Sequence, residues 1–268
     1  MIDSTSTRSI DFACPKCKRP LRTSNDALCC AECDRTYPIV GGIPDFLCGD
    51  PRADLGPVLR IAKGADLLAP IYENRFWYQL LLNLAGAGSS SIGSITSFHA
   101  KTLEGITGAV LDVACGPATY GRRIVSSSRN VYGIDISVGM LHKGMTYILQ
   151  DGVIGVHLAR ARVEELPFEN AVFDGVICSG ALHLFSDTVH SLREIARTMK
   201  PGAPFSVQTF VTGGQSGFMR LLGKWRNVKA FELSELQQSL VTAGFEQFQP
   251  KLKGIFLTFS ARKAPAPA

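Results

Sequence analysis

The sequence predicts an α/β protein in which a doubly wound, mainly parallel sheet of seven strands follows a small cysteine-bearing module. Three observations predict it. An apolar run through Asp112 meets the turn Ala114-Cys115-Gly116-Pro117-Ala118-Thr119, and a second run, Val131 to Ile134, ends in Asp135. Strand-like and helix-like patterns then alternate to about residue 261, as a parallel sheet with crossover helices requires. Five of the eight cysteines, Cys14, Cys17, Cys29, Cys30 and Cys33, crowd into the first 33 residues.

Strands are expected near 109–114, 130–135, 153–159, 172–179, 203–211, 245–251 and 254–261, and helices near 119–127, 138–150, 188–199 and 233–243. Ahead of the sheet, 51–98 reads as a helical linker or cap, with Leu55, Val58, Leu59, Leu67, Leu68 and Ile71 at three-and-four spacing. Its last part, Ala85 to Ser97, is small and polar and predicts a loop. The division is therefore 1–50 for the cysteine module, 51–98 for the linker and 99–268 for the sheet domain, with an insertion at 212–231.

The 268 residues suffice for one full α/β domain and a small extra one. No apolar run reaches the ~18 residues of a membrane span and no signal-peptide core opens the chain, so a soluble, cytoplasmic protein is expected. A net charge of +5 is mild for this length, and any nucleic-acid contact must rest on local patches.

Cys14-Pro15-Lys16-Cys17 and Cys30-Ala31-Glu32-Cys33 are two C-x2-C knuckles 12 residues apart, a spacing that suits tetrahedral Zn2+ on four thiolates. Cys29 points the other way along its strand and is left over. Four thiolates leave no open position for water, so the metal is structural, stapling a module too small to fold on its core alone. With Tyr37-Pro38-Ile39 and Gly41-Gly42-Ile43-Pro44 following, the module resembles the short zinc-ribbon protein that activates several tRNA and protein methyltransferases. Six basic and four acidic residues between Arg8 and Arg35 nearly balance, which favours packing against the sheet domain over RNA recognition.

In the sheet domain, Gly116 lets backbone approach a ligand while Asp135, about 20 positions on, can accept both ribose hydroxyls. A dehydrogenase would open the same way. The further blocks Gly133-Ile134-Asp135-Ile136-Ser137, Glu165-Leu166-Pro167-Phe168, Phe173-Asp174, Leu182-His183, Lys200-Pro201-Gly202 and Ala243-Gly244-Phe245 argue against that alternative. Together with the turn they make the chain, from about Ala100 to Lys263, resemble the class I S-adenosylmethionine (SAM) methyltransferases. The branch it resembles holds the ubiquinone and menaquinone methylases and many natural-product methylases.

The resemblance implies a Rossmann-like sheet with its last strand antiparallel and SAM beyond the carboxyl ends of strands one, two and four. Asp112 then orients the SAM amino group or the turn itself, and the backbone around Cys115 to Ala118, through Gly116 and next to Ala114, meets the methionine part. Asp135 takes the ribose, Ile136 and Met140 pack on adenine, and Val163 and Ser179 complete the rim. The family's usual acid four residues before the Leu-Pro pair is here Arg162, which cannot accept a hydrogen bond. Either the Val163 backbone reads adenine with Arg162 turned outward, or SAM affinity is reduced. Ala118, in place of glycine, is expected to cost little in a right-handed conformation.

Methyl transfer needs mainly in-line positioning, and a base helps when the acceptor is a hydroxyl. His183, after the fourth strand, is the candidate base and His99 a weaker one; a hydrogen-bonded scaffold role is the alternative for the Leu-His pair. Tyr72, Trp77 and Tyr78 in the linker and Trp225 in the insertion are candidate substrate residues, and core packing explains the linker aromatics equally well. The insertion carries Arg220, Lys224, Arg226 and Lys229 with no acid, which suits an acidic or planar acceptor or an RNA backbone.

Weak net basicity and the metabolite-branch blocks favour a small-molecule acceptor, natural-product or quinone-like, methylated at oxygen, nitrogen or carbon. The second reading is an rRNA or tRNA base methyltransferase that uses the zinc ribbon for RNA recognition. The third is a SAM-binding partner subunit without catalysis. Oligomeric state is not legible.

Overall fold

The computed structural model describes residues 10–49, 90–211 and 231–265. Tyr72, Trp77, Tyr78 and Trp225, and most of the basic insertion, lie outside the described residues. Among the described residues no helix is long and apolar enough to cross a membrane.

The large sheet comprises β5 (Gly108–Val113), β6 (Arg129–Asp135), β7 (Val156–Arg160), β8 (Gly175–Ser179), β9 (Pro204–Phe210), β10 (Phe245–Lys253) and β11 (Phe256–Lys263). Their order is β10-β11-β9-β8-β5-β6-β7. The five strands β5 to β9 run parallel, and β11 is antiparallel to both β9 and β10. Strand order reverses between β5 and β8, so a crevice opens beyond the carboxyl ends of β5, β6 and β8.

Alternation along β5 shows how the layers form. Ala109, Leu111 and Val113 face one core, while Val110 belongs to another with Ile95, Leu103, Ile124 and Val131. The second core supports helices α1 (Ile92–Thr102) and α2 (Gly121–Ile124). Helix α3 (Val138–Gln150) sends Leu141 and Ile148 to a cluster with Leu158. The first core receives Leu192 and Ile195 of α4 (Thr188–Thr198) and Leu236 and Leu240 of α5 (Leu233–Thr242).

Three expectations need correction. Ser91 to Ser97 is not a loop but the start of α1. Ser91 accepts from the Ser94 amide and the Ser94 hydroxyl from Ser91, a reciprocal cap, and Ile95 and His99 form its buried face. The helix expected over 119–127 is only Gly121–Ile124. Val125 turns extended, and the Arg129 guanidinium takes up the carbonyls of Ile124, Leu103 and Ile106. Strand β7 starts at Val156 rather than near 153, after Gly155 at φ +86°, and β8 at Gly175 rather than near 172.

The amino-terminal module is a four-stranded antiparallel sheet, β1 (Arg22–Ser24), β2 (Ala27–Cys30), β3 (Arg35–Val40) and β4 (Ile43–Pro44). It packs onto the large sheet rather than standing apart. Phe12 lies 5.6 Å from Phe46 and 5.5 Å from Phe168, and Phe168 is edge-on to Phe173 at 4.8 Å. The Leu-Pro-Phe block is the seat: the Pro167 carbonyl accepts the Ala13 amide at 2.9 Å and the Leu166 carbonyl accepts Lys18 Nζ at 3.2 Å. Lys18 also pairs with Glu194 at 2.6 Å. Burial alone would raise the Glu194 carboxyl, but Arg197 and Lys18 beside it hold it below its ordinary value. At the opposite sheet end, Asp174 accepts from the Ala109 amide at 3.0 Å and from Lys200 at 2.6 Å. The Phe-Asp and Lys-Pro-Gly blocks therefore tie strands together, away from the crevice.

Candidate active site

The chain leaves β5 through three left-handed residues, Ala114 (φ +54°), Gly116 (φ +55°) and Ala118 (φ +54°). The right-handed conformation expected of Ala118 is thus corrected. A left-handed non-glycine residue costs about 1–2 kcal/mol, and what offsets it is local hydrogen bonding. Cys115 N–H donates to Ile134 O at 3.0 Å, Ala118 N–H to Cys115 O at 3.0 Å, and Ala118 O accepts Arg122 N–H at 3.0 Å. At Gly116 nothing lies within 4 Å of where a Cβ would point, so this position faces open space. Behind the turn the packing is tight: a Cβ at Gly144 of α3 would lie 3.0 Å from the Pro117 carbonyl carbon, which is why the helix can back the turn so closely.

Asp135, at the tip of β6, reaches across to this turn. Its Oδ2 accepts the Gly116 amide at 2.8 Å and its Oδ1 the Ser137 amide at 2.8 Å. Ser137 Oγ then caps α3 by accepting the Met140 amide at 3.1 Å. Ile136 is half-buried beside it and Met140 is buried. Asp112 is enclosed and accepts the Gly121 amide at 3.2 Å, so it ties β5 to the start of α2. Burial, with Asp135 nearby, raises its carboxyl to about 8 despite that bond. Burial likewise pushes the Cys115 thiol well above its ordinary value.

Val163 is buried in a short 3-10 turn that Arg162 enters, and the Arg162 guanidinium lies 3.8 Å from Glu164. Ser179 ends β8, and its hydroxyl meets His99 Nε2 at 2.5 Å. His99 Nδ1 meets Ser206 Oγ at 2.9 Å, and Tyr120 stands edge-on to the ring at 5.4 Å. With 0% exposure and both ring nitrogens occupied, His99 ties α1 to β8 and β9; it is not placed as a base. His183 lies in the 3-10 turn Leu182–Leu184, with Nδ1 3.2 Å from Thr209 Oγ1 and Phe210 edge-on at 5.1 Å.

Burial lowers His99 to about 3 and His183 to about 4, below the ordinary 6.5. The unfolded chain therefore binds protons that the folded chain refuses, and the stability these rings carry is lost as pH falls from 6.5 toward 4. Asp112 acts oppositely: its folded value lies above the ordinary 3.8, so it adds stability as pH falls from 8. Burial lowers the His157 ring as well, so three rings against one carboxyl give an expected net loss of at least about 1 kcal/mol per pH unit between pH 6 and 5, read from urea unfolding. His99→Gln should flatten that slope.

A cavity of about 420 Å³ opens between α1 and the β10–β11 turn, lined by Ile95, Phe98, Lys251, Lys253, Phe256 and Thr258 among others. Phe256 lies 5.9 Å from Phe210, the ring that touches His183. No sequence signal marks this wall, because its members sit far apart in the chain, on α1, β10 and β11.

In the amino-terminal module the sulfurs of Cys14, Cys17, Cys30 and Cys33 all lie within 4.8 Å of one another. Tetrahedral Zn2+ with bonds of about 2.3 Å sets its sulfurs about 3.8 Å apart, so this donor set fits. Cys29 faces the other side of β2, 3.7 Å from Thr36 Oγ1. The module also reaches the crevice: Ile43 shares a buried cluster with Cys115, Ala118 and Leu141, and Asp45 pairs with Arg160 at 3.0 Å. Neither residue carries a sequence signal for such a contact.

Residues 110–202 match the model of the methyltransferase domain family. An uncharacterised chloroplastic methyltransferase of Arabidopsis thaliana is 24% identical over 94% of this chain and 78% of its own. The ubiquinone/menaquinone biosynthesis C-methyltransferase of Pseudomonas paraeruginosa is 29% identical over 70% of this chain and 68% of its own. Among solved structures, a Haemonchus contortus phosphoethanolamine N-methyltransferase bound to S-adenosyl-L-methionine has a TM-score of 0.59 at 16% identity, over 67% of this chain and 53% of its own.

Proposed function

We infer that this SAM-dependent methyltransferase transfers its methyl group to a small, planar organic acceptor. The observation that carries the cofactor half of this reading is the Asp135 carboxylate held against the Gly116 amide at the mouth of the crevice. SAM entering there would give its ribose hydroxyls to Asp135 and lay its methionine part along Ala114 to Gly116. Adenine would lie against Ile136 and Met140, with the Val163 backbone as its polar partner, because Arg162 is engaged by Glu164. Asp112 holds the turn rather than the ligand, and Ser179 closes the rim.

In the transfer, the acceptor atom attacks the methyl carbon in line with the breaking C–S bond, and S-adenosylhomocysteine leaves. His183 takes the acceptor's proton when the acceptor is a hydroxyl. Burial keeps its ring neutral, the form a base requires, while making it a weaker proton acceptor, and Nε2 has no hydrogen-bond partner among the described residues. Phe98, Phe256 and Phe210 supply an apolar wall, and Lys251 and Lys253 a positive rim. That lining, and the likeness to a quinone C-methyltransferase, support an aromatic or quinone-like acceptor over an RNA base. The four cysteines would hold a structural Zn2+ that keeps the module folded against the crevice.

The test is transfer of labelled methyl from SAM into a cell extract that is then split into organic, protein and nucleic-acid fractions. Label in the organic fraction is expected. Label in RNA would replace the acceptor class and make the cysteine module a recognition element. No label anywhere, with tight SAM binding, would leave a non-catalytic partner subunit.

A further inference from the structure

We propose that Asp45, on the cysteine-bearing module, is a positioning residue for the cofactor, acting through Arg160 on the segment Asp135–Ser137. The inference rests on the reading that SAM binds at Asp135.

Asp45 and Arg160 are 115 positions apart in sequence, yet they form one small structure. They face each other as an isolated parallel bridge that continues the large sheet beyond β7, and the Phe46 amide donates to the Arg160 carbonyl at 2.9 Å. The Arg160 guanidinium divides its fork. Nη1 binds Asp45 Oδ2 at 3.0 Å, and Nε donates to the Ile136 carbonyl at 3.1 Å. Asp45 is itself fixed, since its Oδ1 accepts the Leu47 amide at 2.9 Å and its own amide donates to the Pro38 carbonyl at 2.8 Å. The two side chains are 17% and 19% exposed, so solvent screens the pair only in part.

The far end of this chain of bonds is the cofactor loop. Ile136 sits between Asp135, whose carboxylate spans the Gly116 and Ser137 amides, and Ser137, which caps α3. The Asp135 carbonyl is held by the Ala161 amide at 3.0 Å, next to Arg160. Asp45 holds the guanidinium in the plane that reaches the Ile136 carbonyl. Without it the fork swings toward solvent, that carbonyl loses its donor, and the segment gains freedom that ligand binding must remove. A lysine at 160 keeps the charge but cannot hold both partners with a rigid fork.

The experiment titrates S-adenosylhomocysteine by calorimetry into the full chain carrying its metal, as wild type, Asp45→Asn, Asp45→Glu, Arg160→Lys and the double variant Asp45→Asn with Arg160→Lys. Asp45→Asn and Arg160→Lys should each raise Kd about tenfold, the double variant no further, with metal content unchanged, and Asp45→Glu should recover most of the affinity. Should Asp45→Asn fail to fold, Arg160→Lys decides alone. Wild-type affinity in a folded variant, whatever its melting temperature, would overturn the proposal and leave the cofactor reading intact. No binding by the wild type would overturn both.

Discussion

Replacing Asp135 with alanine should weaken S-adenosylhomocysteine binding by at least about 100-fold, since hydrogen bonds to a charged group are worth about 1.5–3 kcal/mol each and two ribose hydroxyls lose their acceptor. The carboxylate also holds the ligand-free turn: both oxygens accept backbone amides at 2.8 Å, from Gly116 and Ser137. The alanine variant therefore gives up ligand contacts and loosens the loop that presents them. Asp135→Asn separates the two effects. An asparagine retains one acceptor oxygen for the Ser137 amide, so it should preserve the loop better while still losing most of the ribose interaction. Calorimetry at fixed salt reads the affinity, and thermal melting of both variants reports the loop. An affinity within twofold of wild type for Asp135→Ala would move the ribose elsewhere.

The second large effect concerns the four cysteines. One Zn2+ per chain is expected, and Cys14→Ser or Cys30→Ser should abolish its retention, because each removes a buried sulfur from the set of four. A module spanning 10–49 has a core of little more than Leu28, Tyr37, Phe46 and Leu47 around those sulfurs. Structural zinc contributes apparent binding free energies of about 10–16 kcal/mol in small domains, so its loss should unfold the module outright. Unfolding would strip Phe12, with Phe46 behind it, from Phe168 and expose the Leu-Pro-Phe seat. Metal analysis and limited proteolysis report this together: cleavage sites should appear within 10–49 in Cys14→Ser. Cys29→Ser, on the opposite face of β2, should hold its zinc and resist cleavage like the wild type. Equal metal content in Cys14→Ser and wild type would contradict the assignment.

Much of this architecture was legible because its signals are local. The run into Asp112, the turn around Gly116 and the run into Asp135 fall within 30 residues, and the alternation of faces along β5 follows from the period of a strand. Helix α1 was hidden by its composition: Ser91, Ser94 and Ser97 read as loop, while two of those serines form its cap. The φ of Ala118 is set by bonds to Cys115 and Arg122, not by an alanine's own preference. His99 looked like a crevice base because nothing in the sequence places Ser179 and Ser206 on its two nitrogens. The seat of the module depends on Lys18 meeting Glu194 and Asp45 meeting Arg160, pairs that only the closed topology brings together. The Leu-Pro-Phe block was read for its family, but its physical work includes binding the module.

Amide hydrogen exchange of the full chain, with and without saturating S-adenosylhomocysteine, tests the placement of the cofactor most directly because it locates the ligand residue by residue. Added protection is expected at Ala114 to Ala118 and at Ile136 to Met140, accompanied by protection at Ile43 to Leu47 in the module. Binding with protection confined to other segments would contradict that placement.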